Sequence, residues 1–277
     1  MTLVAKVLRD VRAQIIGFGL TNAAMAFIIV LVYPSYSVQF ADFELPAAFK
    51  AILGEVSLGT PQGFLTAEFF SWVPFLVITF AIMQGTYAVA GEEAAGTLDF
   101  LLAQPVRRWR FIVEKAAALA VGVLLITALS LPGFALGMIW VDLGIPLTRV
   151  AVAVMAMVPI ALLIGMFSLW MGALLANRGA AAMAATGVTV AGYFVDALGR
   201  VVKDLEPLRR LSPFYYYPGG TALSEPFAYG DTLVLAVASL VCLAGALWSF
   251  QRREIAVSRR EWSFGWPLAR RKSPAAP

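Results

Sequence analysis

Six stretches of about twenty residues with almost no charge decide the fold class. They cover residues 13–32, 69–90, 116–141, 150–176, 179–199 and 232–250. A hydrocarbon core of about 30 Å takes roughly 20 apolar residues in a helix, so each stretch is long enough to cross a membrane. Strands spanning a membrane would alternate polar and apolar side chains, and these runs do not. The expectation is an all-α membrane protein with six transmembrane helices. Composition agrees, because 60% hydrophobic and 14% charged residues lie far from the roughly 45–50% and 25% of a soluble domain. The third and fourth runs contain Pro132 and Pro159, and a missing backbone donor at each predicts a kink or tilt.

Lysine and arginine set the orientation. With six spans both termini share a side, and 15 of the 21 basic residues then fall on it. Basic residues favour the cytoplasmic side, so both termini are expected there. Residues 1–255 form the membrane domain and residues 256–277 a basic cytoplasmic tail, suited to anionic lipid. Within residues 3–16, Leu3, Val4, Val7, Leu8, Val11 and Ile15 share one helical face, with Lys6, Arg9 and Arg12 on another. Two readings stay open here: a helix lying along the inner membrane surface, or a plain charged anchor.

Several chemistries are excluded by what the chain lacks. It has no histidine, and its one cysteine, Cys242, lies inside an apolar run. No G-x-x-x-x-G-K-[ST] phosphate loop occurs, so the chain does not cradle ATP by that device. Asp196 is the only ionisable residue within an expected span, near its outer end. Ion-coupled carriers place acids or bases on the path, so energy from outside the membrane is favoured. Arg200, one turn on, makes an interfacial ion pair the first reading of Asp196. Nucleic acid is not an expected partner, because the bases flank apolar spans.

The most informative polar segment is Gly91 to Lys115, "GEEAAGTLDFLLAQPVRRWRFIVEK". Glu92 and Glu93 suit the positive start of a helix. Leu98, Leu101 and Leu102 form an apolar stripe. Pro105 suits the first turn of a second helix, which runs through Arg107, Arg108, Arg110 and Lys115 into the third span. A stripe on the cytoplasmic side needs cover from the bilayer, the bundle or a partner. Glycines at close spacing mark packing faces in span five (Gly179, Gly187, Gly192) and span three (Gly133, Gly137), with packing inside the chain as the first expectation.

This segment resembles the signature loop of ABC-2 type transporter permeases. Glu93, Gly96, Thr97, Leu98, Leu101, Leu102, Pro105, Arg107 or Arg108, and Lys115 match it residue by residue. The six spans fit the same family. The resemblance implies that residues 91–115, with Glu92, form a coupling element docked on a separate ABC ATPase subunit, two copies per complex. It further implies a second permease copy or paralogue, a bacterial inner membrane, and ATP and magnesium held by the ATPase rather than by this chain. Residues 211–220, "LSPFYYYPGG", resemble the family's external segment before the last span. There Pro213, Phe214, Tyr215 and Tyr216 become a possible outer gate in a re-entrant hairpin, beside the plainer reading of an aromatic girdle. Phe43, Leu45, Phe49 and Leu53 suggest a short external surface helix.

The function expected on this resemblance is the permease subunit of an ATP-driven exporter, a transport subunit and not an enzyme. Two rivals remain: a non-transporting ABC-2-like regulator or assembly factor, and a membrane-embedded lipid-modifying enzyme. The second is weak, since the one acid cluster is Glu92, Glu93 and Asp99 in the loop itself. Substrate identity does not follow from apolar spans.

Overall fold

The structure is a computed structural model and describes residues 3–39, 59–97, 107–175, 177–225, 227 and 229–252. The expected external helix at residues 43–53, the stripe of Leu98, Leu101 and Leu102, the corner at Pro105 and the basic tail all lie outside the described residues. Among the described residues the regular elements are all helical. A short amphipathic helix, α1 (Leu3–Asp10), precedes six helices long and apolar enough to span a membrane. These are α2 (Arg12–Gln39), α3 (Pro61–Ala94), α4 (Arg108–Trp140), α5 (Leu147–Leu175), α6 (Arg178–Val201) and α7 (Tyr229–Arg252).

The two prolines act as their chemistry requires. Proline cannot donate to the carbonyl four residues back, and its ring crowds that carbonyl. Helix α4 is interrupted at Leu129, three residues before Pro132, and resumes at Ser130. Helix α5 is interrupted at Ala156, three residues before Pro159. Helix α3 has a different irregularity. Two five-residue π segments, Thr66–Phe70 and Tyr87–Gly91, lie toward its ends. At the first, the Ser71 hydroxyl donates to the Thr66 carbonyl at 2.8 Å, satisfying an acceptor that the widened turn leaves.

Helix α5 sits at the centre and packs on α3, α4, α6 and α7. In its most apolar stretch 56% of residues are buried, against 22% for α6. Helix α6 therefore presents most of its surface outward. Helix α2 packs along the second half of α4, and Gly133 makes this possible. A Cβ there would lie 2.0 Å from the Ala23 carbonyl oxygen, so only glycine lets the backbones meet. Gly137 meets Val30 in the same way. These two glycines thus serve contacts inside the chain. Gly187 of α6 has no neighbour within 4 Å of a would-be Cβ and faces outward, so it makes no such contact.

Two buried clusters fill the bundle. One joins Ile15, Phe80, Phe111, Leu119, Ile164 and Phe250 with their neighbours. The other gathers Val30, Phe64, Phe69, Phe70, Phe134 and Val154 toward the opposite end, where Phe69 meets Phe134 edge-on at 4.7 Å. The Leu3 backbone N–H donates to Glu114 at 2.8 Å, and Phe250 stacks on Phe111 at 5.7 Å. The first and last described helices therefore share one end of the bundle, called here the amino-terminal end.

Candidate functional site

Two polar constructions sit at opposite ends of the bundle. The first lies at the amino-terminal end, where α3 stops and α4 starts. Gly96 has φ +68°, and the chain closes a Schellman motif around it. The Thr97 N–H bonds the Glu92 carbonyl and the Gly96 N–H bonds the Glu93 carbonyl, both at 3.0 Å. Glu92 and Glu93 consequently end a helix instead of starting one. This corrects the sequence expectation, and the reason is local: Gly96 takes the left-handed conformation that only glycine adopts without strain. A carboxylate at a helix C-terminus opposes the dipole, so Glu92 needs another partner.

That partner is Lys115. Its Nζ donates to Glu92 Oε1 at 2.5 Å, and the side chains keep only 4% and 14% of their exposure. Thr97 donates its hydroxyl to the other Glu92 oxygen. The Lys115 stem lies near Phe111, with Nζ 5.6 Å from the ring centre. Twenty-three residues apart in sequence, Glu92 and Lys115 clamp the two roots of the 98–106 connection.

The surroundings extend the clamp. Leu3 and Leu8 of helix α1, with Val11 just after it, pack against the bundle, so the apolar face of α1 covers protein. Lys6 and Asp10 join Gln84, Tyr87, Glu92 and Lys115 around a small cleft. Gln84 and Gln14 share a side-chain hydrogen bond between α3 and α2. Arg107, Arg108 and Arg110 start α4 and are exposed. Arg110 pairs with Glu114 at 2.7 Å. Cations at a helix N-terminus are unfavourable for the helix itself, and the Arg110 pairing with Glu114 offsets part of that. Arg178, opening α6, lies over the Tyr87 ring at 5.2 Å.

The second construction is a cavity of about 500 Å³ at the far end, between α3, α6 and the segment after α6. Thr60 caps α3 by accepting from the Gly63 N–H, with Pro61 in the first turn. Helix α3 therefore begins eight residues before the expected start, and Glu68 lies inside it. The Thr-Pro pair was the overlooked signal. Asp196 is 4% exposed and bonded on both oxygens. Arg200 Nη2 and Nε reach Oδ2 at 2.6 and 3.0 Å, and Arg209 Nε reaches Oδ1 at 3.1 Å. The pairing with Arg200 is as the spacing implies; Arg209, thirteen residues on, adds a second cation.

Of the four gate candidates, Phe214 is buried and lines the cavity. It belongs to a ring trio with Phe75 (5.7 Å) and Tyr193 (5.6 Å). Pro213 sits against Gly192, while Tyr215 and Tyr216 pair with each other and lie outside the cavity wall. Arg209 lies over the Tyr215 ring at 5.2 Å. The Ser212 hydroxyl donates to the Gly192 carbonyl at 2.7 Å, and Arg149 Nη1 holds the Ser224 carbonyl at 3.1 Å. The Tyr217 hydroxyl donates to the Phe70 carbonyl at 3.2 Å, and burial pushes that phenol well above its ordinary pKa. These ties fold the 202–225 segment, in short 3-10 and helical turns, back onto α3, α5 and α6.

Six helices of membrane-spanning length and composition, with a polar clamp at one end of the bundle and a lined cavity at the other, are the architecture of a multi-pass helical membrane protein. Residues 2–251 match the family model described as "Multidrug efflux system permease Rv1217c, C-terminal domain", and the chain belongs to that family. It is a transporter membrane subunit. No curated protein matches the chain.

Proposed function

We propose that the chain is the permease subunit of an ATP-driven ABC-2 type exporter. A separate ATPase, in two copies, hydrolyses ATP with magnesium, and residues 91–115 carry its movement into the bundle. A second permease copy or a paralogue completes the complex in a bacterial inner membrane, with both termini cytoplasmic. The observation that supports this reading best is the clamped base of the 98–106 connection. Glu92 and Lys115 join the end of α3 to the start of α4, so a force on the loop reaches two spans together. The exposed arginines beside it oppose their own helix dipole, as a surface kept for an acidic partner or for lipid phosphate does.

The test uses the tagged full-length chain purified from its host membranes in mild detergent. Wild type is expected to bring vanadate-sensitive ATP hydrolysis with it. Leu101→Asp and Glu93→Arg are expected to lose at least tenfold of that hydrolysis while keeping the wild-type melting profile. Full hydrolysis retained by both variants would count against coupling through this loop. Loss of the gene is expected to raise intracellular accumulation of an exported dye, restored by the wild-type chain only.

A further inference from the structure

The far cavity has the size and the mixed lining of a small-molecule site. Pockets that hold drug-sized ligands measure about 300–1,000 Å³ and combine apolar walls with a few placed polar groups. Here the volume is about 500 Å³. One wall is aromatic, built from Phe75, Tyr193 and Phe214 with centroids 5.2–5.7 Å apart. The polar side carries Arg200 and the buried Asp196.

The charges choose the ligand. Asp196 is one carboxylate held by two guanidiniums, so the triad carries a net positive charge. Arg200 spends Nε and Nη2 on Asp196 and keeps Nη1 for a guest. Its side chain is 31% exposed, which places it at the wall. Glu225 lines the same cavity, and it and Arg200 are both exposed residues. Both oxygens of Asp196 are taken by guanidinium donors. Arg200 is therefore the charged donor that a guest's anionic group meets, and the Glu225 carboxylate disfavours a second negative group.

We infer that this cavity binds a small aromatic monoanion, its ring system stacked on the Phe75–Tyr193–Phe214 wall and its carboxylate or sulfonate on Arg200. The same anionic chemistry exists in a phospholipid phosphate. As the class of exported substrate, this inference rests on the exporter reading; as a binding site, it stands without it. The Ser212 and Arg149 ties hold the cavity's outer wall in place, so the site is present in the chain alone.

The experiment needs no ATPase. The full-length chain is placed in phosphatidylcholine nanodiscs and titrated calorimetrically with 2-naphthoate, naphthalene-1,5-disulfonate and the cation 2-naphthylmethylammonium. Naphthoate is expected to bind at one site per chain, at least tenfold tighter than the dianion and the cation. Ala197→Trp, which fills the cavity and leaves the ion triad alone, is expected to abolish binding. Arg200→Gln is expected to weaken naphthoate at least tenfold and to reduce its preference over the cation. Saturable competition by short-chain phosphatidylglycerol, lost in Ala197→Trp, would assign the anion site to a lipid source and still support it. Equal binding of anion and cation, or naphthoate binding unchanged by Ala197→Trp, overturns the inference. Failure here with intact ATPase co-purification would leave the exporter reading untouched.

Discussion

Removing either half of the Glu92–Lys115 clamp leaves an ion in a place built for a pair. At 2.5 Å and an effective dielectric near 20, the gross attraction is about 7 kcal/mol. Desolvation of two ions takes back most of it. Breaking a fully buried pair from one side costs about 3–5 kcal/mol, and the two partners here differ in burial. Lys115 keeps 4% of its side-chain exposure and Glu92 keeps 14%. Glu92→Leu strands the deeper charge and is expected to cost about 4 kcal/mol. Lys115→Met keeps the stem packed near Phe111, strands the shallower carboxylate, and is expected to cost about 2 kcal/mol. The double variant leaves no ion inside and is expected to cost no more than about 1 kcal/mol. The coupling is then about 5 kcal/mol, inside the range of roughly 1.5–7 measured for close charge pairs. The assay is reversible unfolding of the purified chain in mixed micelles titrated with dodecyl sulfate, followed by tryptophan fluorescence. Single variants both within 0.5 kcal/mol of wild type, or a double variant worse than either single, would refute the argument.

Other expectations follow from individual residues. Gly133→Val drives side-chain carbon into the Ala23 carbonyl and is expected to abolish folded yield, read by size-exclusion chromatography, while Gly187→Val on the open face leaves it unchanged. Asn22 is fully buried, and among the described residues neither of its amide atoms nor the hydroxyls of Thr127 and Ser130 on the facing helix find a hydrogen-bond partner. Asn22→Leu is accordingly expected to stabilise the chain by about 1 kcal/mol in the same unfolding assay. Asp196→Asn leaves Arg200 and Arg209 facing a neutral group, and faster hydrogen exchange is expected at residues 205–217 but not at 108–125. A melting point unaffected by Asp196→Asn together with unchanged exchange would show the triad to be idle.

The parts legible in the sequence were those carried by long averages or by one strong local rule. Six apolar runs give six spans because the bilayer fixes their length. Pro132 and Pro159 give their interruptions because a missing N–H acts within one turn. Gly133 signalled a close helix contact, and that contact lies between α2 and α4. The motif around Gly96 was legible as a pattern, yet the direction of its helix was misread, because two acids ahead of an apolar stripe look like a helix start. Only the left-handed φ at Gly96 reveals the end of α3. Long-range pairs left no trace. Glu92 with Lys115 and Asp196 with Arg209 join positions whose spacing follows no helical period, and the cavity wall takes Phe75, Tyr193 and Phe214 from three separate segments.

The two widened turns in α3 alter how that helix is to be counted. Each shifts the side chains beyond it by about 100° relative to an unbroken helix, since one residue is about 100° of rotation. One such turn lies beside the far cavity and the other just before Glu92. Removing a single residue at one of them would close the turn to an ordinary one and leave both ends of α3 facing as they do now, whereas the same removal in the regular stretch between them would swing one end about 100° against the other.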